Sequence, residues 1–175
     1  MNYFVLAQIL GGIGAIAMIF STWQKTRKKM FVFLIFDNLF YFLQYIVLKA
    51  YCGAFTNIVG LIRLAIFGKK NTSEFYRTKH PLYIVITLYI IIGIFTYNGI
   101  LSLFPTIASI IYAIVLWQDQ PSNIRKGTAF MLTLWLMYNI AVKAYVGALT
   151  EGILLISTIF AIIKIDLLKK GEIRC

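Results

Sequence analysis

The sequence predicts an all-α membrane protein: seven transmembrane helices forming two parallel three-helix repeats around a linker helix, with the N-terminus outside and the C-terminus inside. Three observations lead there. Hydrophobic residues make up 61% of the 175 and charged residues only 13%, with a mean hydropathy of +0.83, so no water-soluble surface can be assembled. Basic residues fall in short clusters between apolar runs. The phrase KAYCGAFTN, beginning at Lys49, returns as KAYVGALTE, beginning at Lys143.

At about 20 residues per bilayer-spanning helix, the length accommodates seven short helices and their turns, so residues 1–175 are expected to form a single transmembrane domain. The first span, near 3–23, has no basic residue before it and Lys25, Arg27, Lys28 and Lys29 straight after it. That charge order fits a retained first helix with its N-terminus outside rather than a signal peptide. The second, near 31–48, ends at Lys49, and the third, near 51–68, ends at Lys69 and Lys70. A hydrophilic loop carrying Arg77, Lys79 and the lone His80 leads to a linker span near 82–97. Spans near 100–117, 127–142 and 147–166 follow, with Arg125 and Lys126 in the second inner loop and Lys169, Lys170 and Arg174 in the tail. The inner segments thus hold thirteen Lys and Arg against Lys49 and Lys143 outside, the asymmetry of the positive-inside rule. It also accounts for the net charge of +11, whose partner is then anionic lipid at the bilayer surface and not nucleic acid.

A shift of 94 residues aligns Trp23-Gln24 with Trp117-Gln118 and, without a gap, Lys49 through Thr56 with Lys143 through Thr150, six identities in eight positions. Repeat one covers about 3–68 and repeat two about 100–166, with the linker between them. Three crossings, an odd number, lie between helix one and helix five, so both repeats start outside and run in parallel about an axis along the membrane normal. Small transporters built this way bind at the repeat interface.

The run QILGGIGAIAMIFSTWQKTRKKMFVF, followed by DNLFYFLQYIVLKAYCGAFTNIVGLIR, is similar to the YgjV-type bacterial inner-membrane family. The 3+1+3 arrangement resembles the MtN3/PQ-loop superfamily, which includes sugar-translocating SWEETs and nicotinamide riboside carriers. The resemblance implies a bacterial inner-membrane location and a solute site between the repeats. Trp-Gln stands where PQ-loop proteins have Pro-Gln, and only Pro105, opposite Gly11 in the repeat, lies well inside a span.

Ionisable groups within spans cost roughly 2.5–3.5 kcal/mol each at a helix centre, so each needs a partner or a purpose. Asp37 and Arg63 fall at similar depths near the inner face and are expected to form an intramembrane ion pair, either a structural lock or an inner gate. Repeat two has Met131 and Ser157 there, so both charges are absent together. Asn57 and Glu151 are equivalent positions about a third of the way in from the outside. The SWEET resemblance implies that both contact substrate; otherwise Glu151 lies at the headgroups and reaches Lys143 or Lys49. Tyr41, Gln44 and Tyr45 match Trp135, Tyr138 and Asn139, a polar-aromatic face suited to a sugar- or nucleoside-like solute or to ordinary core packing.

Trp23 and Trp117 read as interfacial anchors. Gly11, Gly12 and Gly14 read as sites of close helix approach, and Gly53-Ala54 and Gly147-Ala148 as tight starts for the third helix of each repeat. Lys164 is expected to snorkel to the inner surface. Cys52 and Cys175 are expected on opposite sides of the bilayer, which excludes an intrachain disulfide. The sequence holds no Walker loop, HExxH, nucleophile elbow or His/Cys cluster at metal spacing. Asp37 and Glu151 are expected on opposite halves of the bilayer, so no catalytic residue, metal or cofactor is expected. The leading function is a transporter or facilitator for a small polar solute, acting alone or as a homo-oligomer. The alternative is a non-transporting receptor, assembly partner or scaffold.

Overall fold

A computed structural model describes residues 2–22, 24, 27–70, 72–118 and 121–164. Within them every regular element is helical: α1 (Tyr3–Thr22), α2 (Arg27–Val47), α3 (Tyr51–Gly68), the single turn α4 (Glu74–Arg77), α5 (His80–Phe95), α6 (Leu103–Trp117), α7 (Pro121–Ala141) and α8 (Tyr145–Ala161). A short 3-10 segment, Ile100–Ser102, leads into α6. Helices satisfy every backbone group internally, which is what a chain in hydrocarbon requires.

Among the described residues five segments are long and apolar enough to cross a bilayer: Tyr3–Ser21, Lys28–Val47, Tyr51–Gly68, Ile100–Trp117 and Tyr145–Lys164. Helix α5 is apolar but has only 16 residues. Helix α7 has the length, but it opens on PSNIRKGT. Arg27, Lys28 and Lys29, expected in the loop before the second span, therefore open α2, and Arg125 and Lys126, expected in the loop before the sixth, lie in the second turn of α7, while Lys25 lies outside the described residues. Long Lys and Arg stems let a helix continue past the hydrocarbon while the charge stays in water. His80 likewise begins α5, with Pro81 in the first turn, where a missing N–H costs nothing. Trp23 and Cys175 lie outside the described residues.

The repeated phrase corresponds to a repeated turn. At the end of α2, Ala50 N–H donates to Tyr45 O (2.9 Å) and Lys49 N–H to Ile46 O (3.0 Å). At the end of α7, Ala144 N–H donates to Asn139 O (2.9 Å) and Lys143 N–H to Ile140 O (3.2 Å). Both are Schellman closures, whose penultimate residue must be left-handed. Lys49 (φ 57°) and Lys143 (φ 61°) are the non-glycine residues with positive φ among those described. Ala50 and Ala144, both buried, let α3 and α8 start at once, and Ala54 and Ala148 N–H return to them.

Packing repeats as well. Under the 94-residue shift, the contacts α1·α2 and α2·α3 map onto α6·α7 and α7·α8, while α1·α8 maps onto α6·α3. Helix α5 lies outside this ring against α3 and α6. At the α1·α8 seam Gln8 clips the turn before α8, its Nε2 donating to Lys143 O (2.9 Å) and its Oε1 accepting from Val146 N–H (3.1 Å). At the α3·α6 seam Cys52 Sγ meets Ser102 O (2.8 Å) and packs near Thr106. Gly53 permits the approach of Tyr138, and Gly147 that of Asn139. Gly11 and Gly14 face Gln44 and Tyr41 in the same way, but Gly12 faces no neighbour. Trp117 packs edge-on against Phe67 and receives Lys70, whose Nζ lies 4.6 Å from the ring centroid and 3.2 Å from Trp117 O.

Candidate functional site

Most of the polar residues expected inside the bilayer converge on one cavity of about 70 Å³. It is lined by Asp37, Tyr41, Asn57, Arg63, Trp135 and Glu151 from the sequence-derived set, with apolar walls that include Met18, Leu34 and Met131. Asp37 and Glu151, expected on opposite halves of the bilayer, border the same space. That ground for excluding paired-carboxylate chemistry is thereby removed. Four position pairs separated by 94 contribute both members to the lining: Met18 and Tyr112, Asp37 and Met131, Tyr41 and Trp135, Asn57 and Glu151.

The expected ion pair is not formed as such. Asp37 and Arg63 face the same cavity with no hydrogen bond joining them, and Asp37 Oδ1 and Arg63 Nε have no hydrogen-bond partner. Arg63, 3% exposed, donates from Nη1 to the Tyr89 hydroxyl (3.1 Å) and lies 4.5 Å above the centroid of Tyr112. A guanidinium is weakly hydrated and planar, so an aromatic face and a hydroxyl can replace the carboxylate as its surroundings. Asp37 Oδ2 receives only a long bond from Asn38 Nδ2 (3.4 Å), whose main acceptor is Leu34 O (2.8 Å).

Asn57 and Glu151 are each 9% exposed. Asn57 Nδ2 donates back to Gly53 O (2.8 Å), leaving its side-chain oxygen as the free end. Glu151 sits in the cavity rather than at the headgroups, and its Oε2 has no partner. The Tyr41 hydroxyl is also unpartnered.

Beside the cavity, toward the two Lys turns, the aromatic residues close into a layer. Tyr45 stacks on Trp135 (6.0 Å, 17°) and Tyr41 (6.2 Å, 25°) and meets Tyr138 edge-on (5.8 Å). Its hydroxyl donates to Asn139 Oδ1 at 2.6 Å, joining residues that the 94-residue shift makes equivalent. Tyr138 OH accepts from Gly53 N–H (3.0 Å) and reaches Ala50 O (3.3 Å). Two expected site residues therefore do not line the cavity. Asn139 is held in this layer, and Gln44, fully buried against Gly11, leaves both amide atoms without a partner.

Sequence reasoning missed Tyr89, Ser109 and Tyr112, which bring α5 and α6 to the cavity. The available signal was Arg63 itself, because a buried guanidinium demands acceptors. A lone Tyr within LYIIIG and the pair Ser109 and Tyr112, one turn apart, offer them. Among the described residues no group of three or more His, Cys, Asp or Glu is arranged to hold a metal.

These features define a multi-helix membrane protein with a small, charged cavity between its helices. Residues 5–169 match the family model of Imp-YgjV, described as a bacterial inner membrane protein. The chain belongs to that family, and its location is the bacterial inner membrane. No curated protein and no solved structure matches it.

Proposed function

We propose that this protein is a small transporter or facilitator that binds a polar solute in the cavity between α1–α3 and α6–α8. On this reading the seven long helices all cross the membrane, N-terminus outside and C-terminus inside. The two triplets are parallel repeats related by an axis through the cavity, as in the MtN3/PQ-loop superfamily, and α5 is the linker. The observation that carries it is the set of four equivalent position pairs that all line one buried polar cavity. A cavity shared by two repeats opens to either side when the repeats rock about it. At about 70 Å³ it is well below the roughly 300–1,000 Å³ of ordinary small-molecule pockets, so this is a closed conformation and a sugar or nucleoside requires it to widen.

The test pairs binding with flux. Purified protein is melted against sugars, nucleosides, amines and amino acids beside Asn57→Ala and Glu151→Gln, and a solute that stabilises only the wild type is then followed into proteoliposomes. Uptake that Glu151→Gln abolishes while the variant stays folded supports the reading. Normal uptake by that variant removes Glu151 from the mechanism. The non-transporting scaffold draws on the closed aromatic layer and the single proline, Pro105, inside a span. No uptake of any stabilising solute, together with a co-purifying membrane protein partner, favours it. Size measurement in detergent decides between one chain and a homo-oligomer.

A further inference from the structure

The lining of the cavity is unbalanced in a way that identifies its ligand more narrowly. Three of its side chains, all at least nine-tenths buried, have an oxygen without a hydrogen-bond partner: Asp37 Oδ1 and Glu151 Oε2, each residue 9% exposed, and the hydroxyl of Tyr41, 6% exposed. All three are able to accept. The one cation in the lining, Arg63, is already turned to Tyr89 and Tyr112. With both carboxyls ionised the formal charge is two negative against one positive, a deficit of one positive charge. A buried unbalanced charge is costly and is relieved either by a proton on one carboxyl or by a bound cation.

We propose that the cavity binds a small monovalent cation, an alkali-metal ion or a primary ammonium, through Asp37, Glu151 and Tyr41. This rests on the reading of the cavity as a ligand site and narrows its ligand class. Each rival fits less well. An anion meets two carboxyls against one guanidinium, of which Nη1 and the face are engaged and Nε lacks a partner. A divalent ion overshoots the deficit by one charge and lacks a third carboxyl. Water fills the volume and satisfies the oxygens but supplies no charge. An all-oxygen donor set suits a hard cation, and a primary ammonium offers three N–H donors to three acceptors. The volume of about 70 Å³ admits an ion with a water or two, or methylammonium, and rejects choline.

The experiment is thermal melting of the full-length, detergent-purified chain at fixed pH and ionic strength. Choline chloride is replaced stepwise by sodium, potassium or methylammonium chloride, with magnesium chloride as a separate arm. The expected result is a saturable rise in melting temperature with at least one monovalent ion and none with magnesium. Which arm responds separates a metal ion from an amine. Glu151→Gln raises the half-saturating concentration at least about tenfold and Tyr41→Phe about threefold, the losses expected for one charged and one neutral ligand contact. Tyr41→Phe keeps the ring packing, so it tests the site even if Glu151→Gln fails to fold. No saturable response, an equal response to magnesium, or an unchanged midpoint in the folded variants overturns the proposal and leaves a hydrated cavity. Binding is read without flux. A chain that binds the cation yet moves nothing into liposomes therefore defeats the transport reading alone, while uptake of a neutral solute without any cation response defeats only this one.

Discussion

Replacing Tyr45 with phenylalanine removes one oxygen and leaves the stack on Trp135 and Tyr41 in place. The hydroxyl it removes donates at 2.6 Å to Asn139, which is 1% exposed and whose Nδ2 already has no partner. After the change neither polar atom of that amide has a side-chain partner. The cost combines a net hydrogen bond of roughly 0.5–1.5 kcal/mol with an orphaned acceptor of about 1–3 kcal/mol, overlapping terms that together come to about 2 kcal/mol. At about 2–4 °C per kcal/mol for a chain of this size, the melting temperature falls by about 4–8 °C. Asn139→Leu alone strands the Tyr45 hydroxyl at similar cost. The double variant removes both polar groups and returns to within about 1 kcal/mol of wild type, because exchanging both partners for apolar groups is close to neutral. Denaturation of the four proteins in mixed micelles gives the coupling directly. Additive losses, within about 0.5 kcal/mol, refute the claim that this bond ties α2 to α7. Under the transport reading the same bond closes one side of the cavity, so Tyr45→Phe also speeds exchange of whatever ligand the cavity holds.

Gln44 is completely buried with an idle amide, so Gln44→Leu raises stability by about 1–3 kcal/mol in the same assay. A loss of stability means that the amide has a partner not seen in this conformation. Arg63→Met removes the bond to the Tyr89 hydroxyl and the cation that the cavity lining holds, lowering stability by about 1.5–3 kcal/mol in the same assay. Adding Asp37→Asn restores only part of that, and complete restoration would show a direct pair instead. Lys49→Gly is neutral or stabilising and Lys49→Val costs at least about 1 kcal/mol, since φ of 57° suits glycine and opposes a β-branched residue. Equal melting temperatures for the two would mean that the turn is not left-handed. Gly53→Ala places a Cβ 2.7 Å from the Tyr138 ring and costs about 1–3 kcal/mol, measured by melting.

Five of the seven expected spans were legible as long apolar helices because hydrocarbon imposes length and apolarity, and α3 was expected over the residues it occupies. The starts of α2 and α7 were not legible, because a Lys- or Arg-rich turn reads as a loop although its stems tolerate a helix. Asp37, Arg63, Asn57 and Glu151 stood out through the cost of their burial. Their partners did not, since tyrosines are ordinary in apolar runs and only the tertiary fold brings Tyr89 and Tyr112 to Arg63. Depth counting misled for the same reason. Positions measured from two uncertain membrane faces placed Asp37 and Glu151 apart, whereas the tertiary fold brings both to one cavity.

If the cavity is a ligand site, where the repeated phrase keeps its letters and where it changes them separates scaffold from site. Identity persists at Lys49 and Lys143, Ala50 and Ala144, and Gly53 and Gly147, the positions that close a Schellman turn and admit a neighbouring side chain. Those demands come from backbone geometry, which is the same in both halves. The four pairs that both line the cavity are different in every case, Met18 with Tyr112, Asp37 with Met131, Tyr41 with Trp135 and Asn57 with Glu151. A purely structural duplicate has no reason to diverge there toward uncompensated charge, because apolar packing of the same volume is at least as stable. The change from Asn57 to Glu151 adds a carboxyl to a cavity that already holds one and only one guanidinium. With both carboxyls ionised that asymmetry works against stability in the empty protein, and it is what a ligand carrying one positive charge would offset.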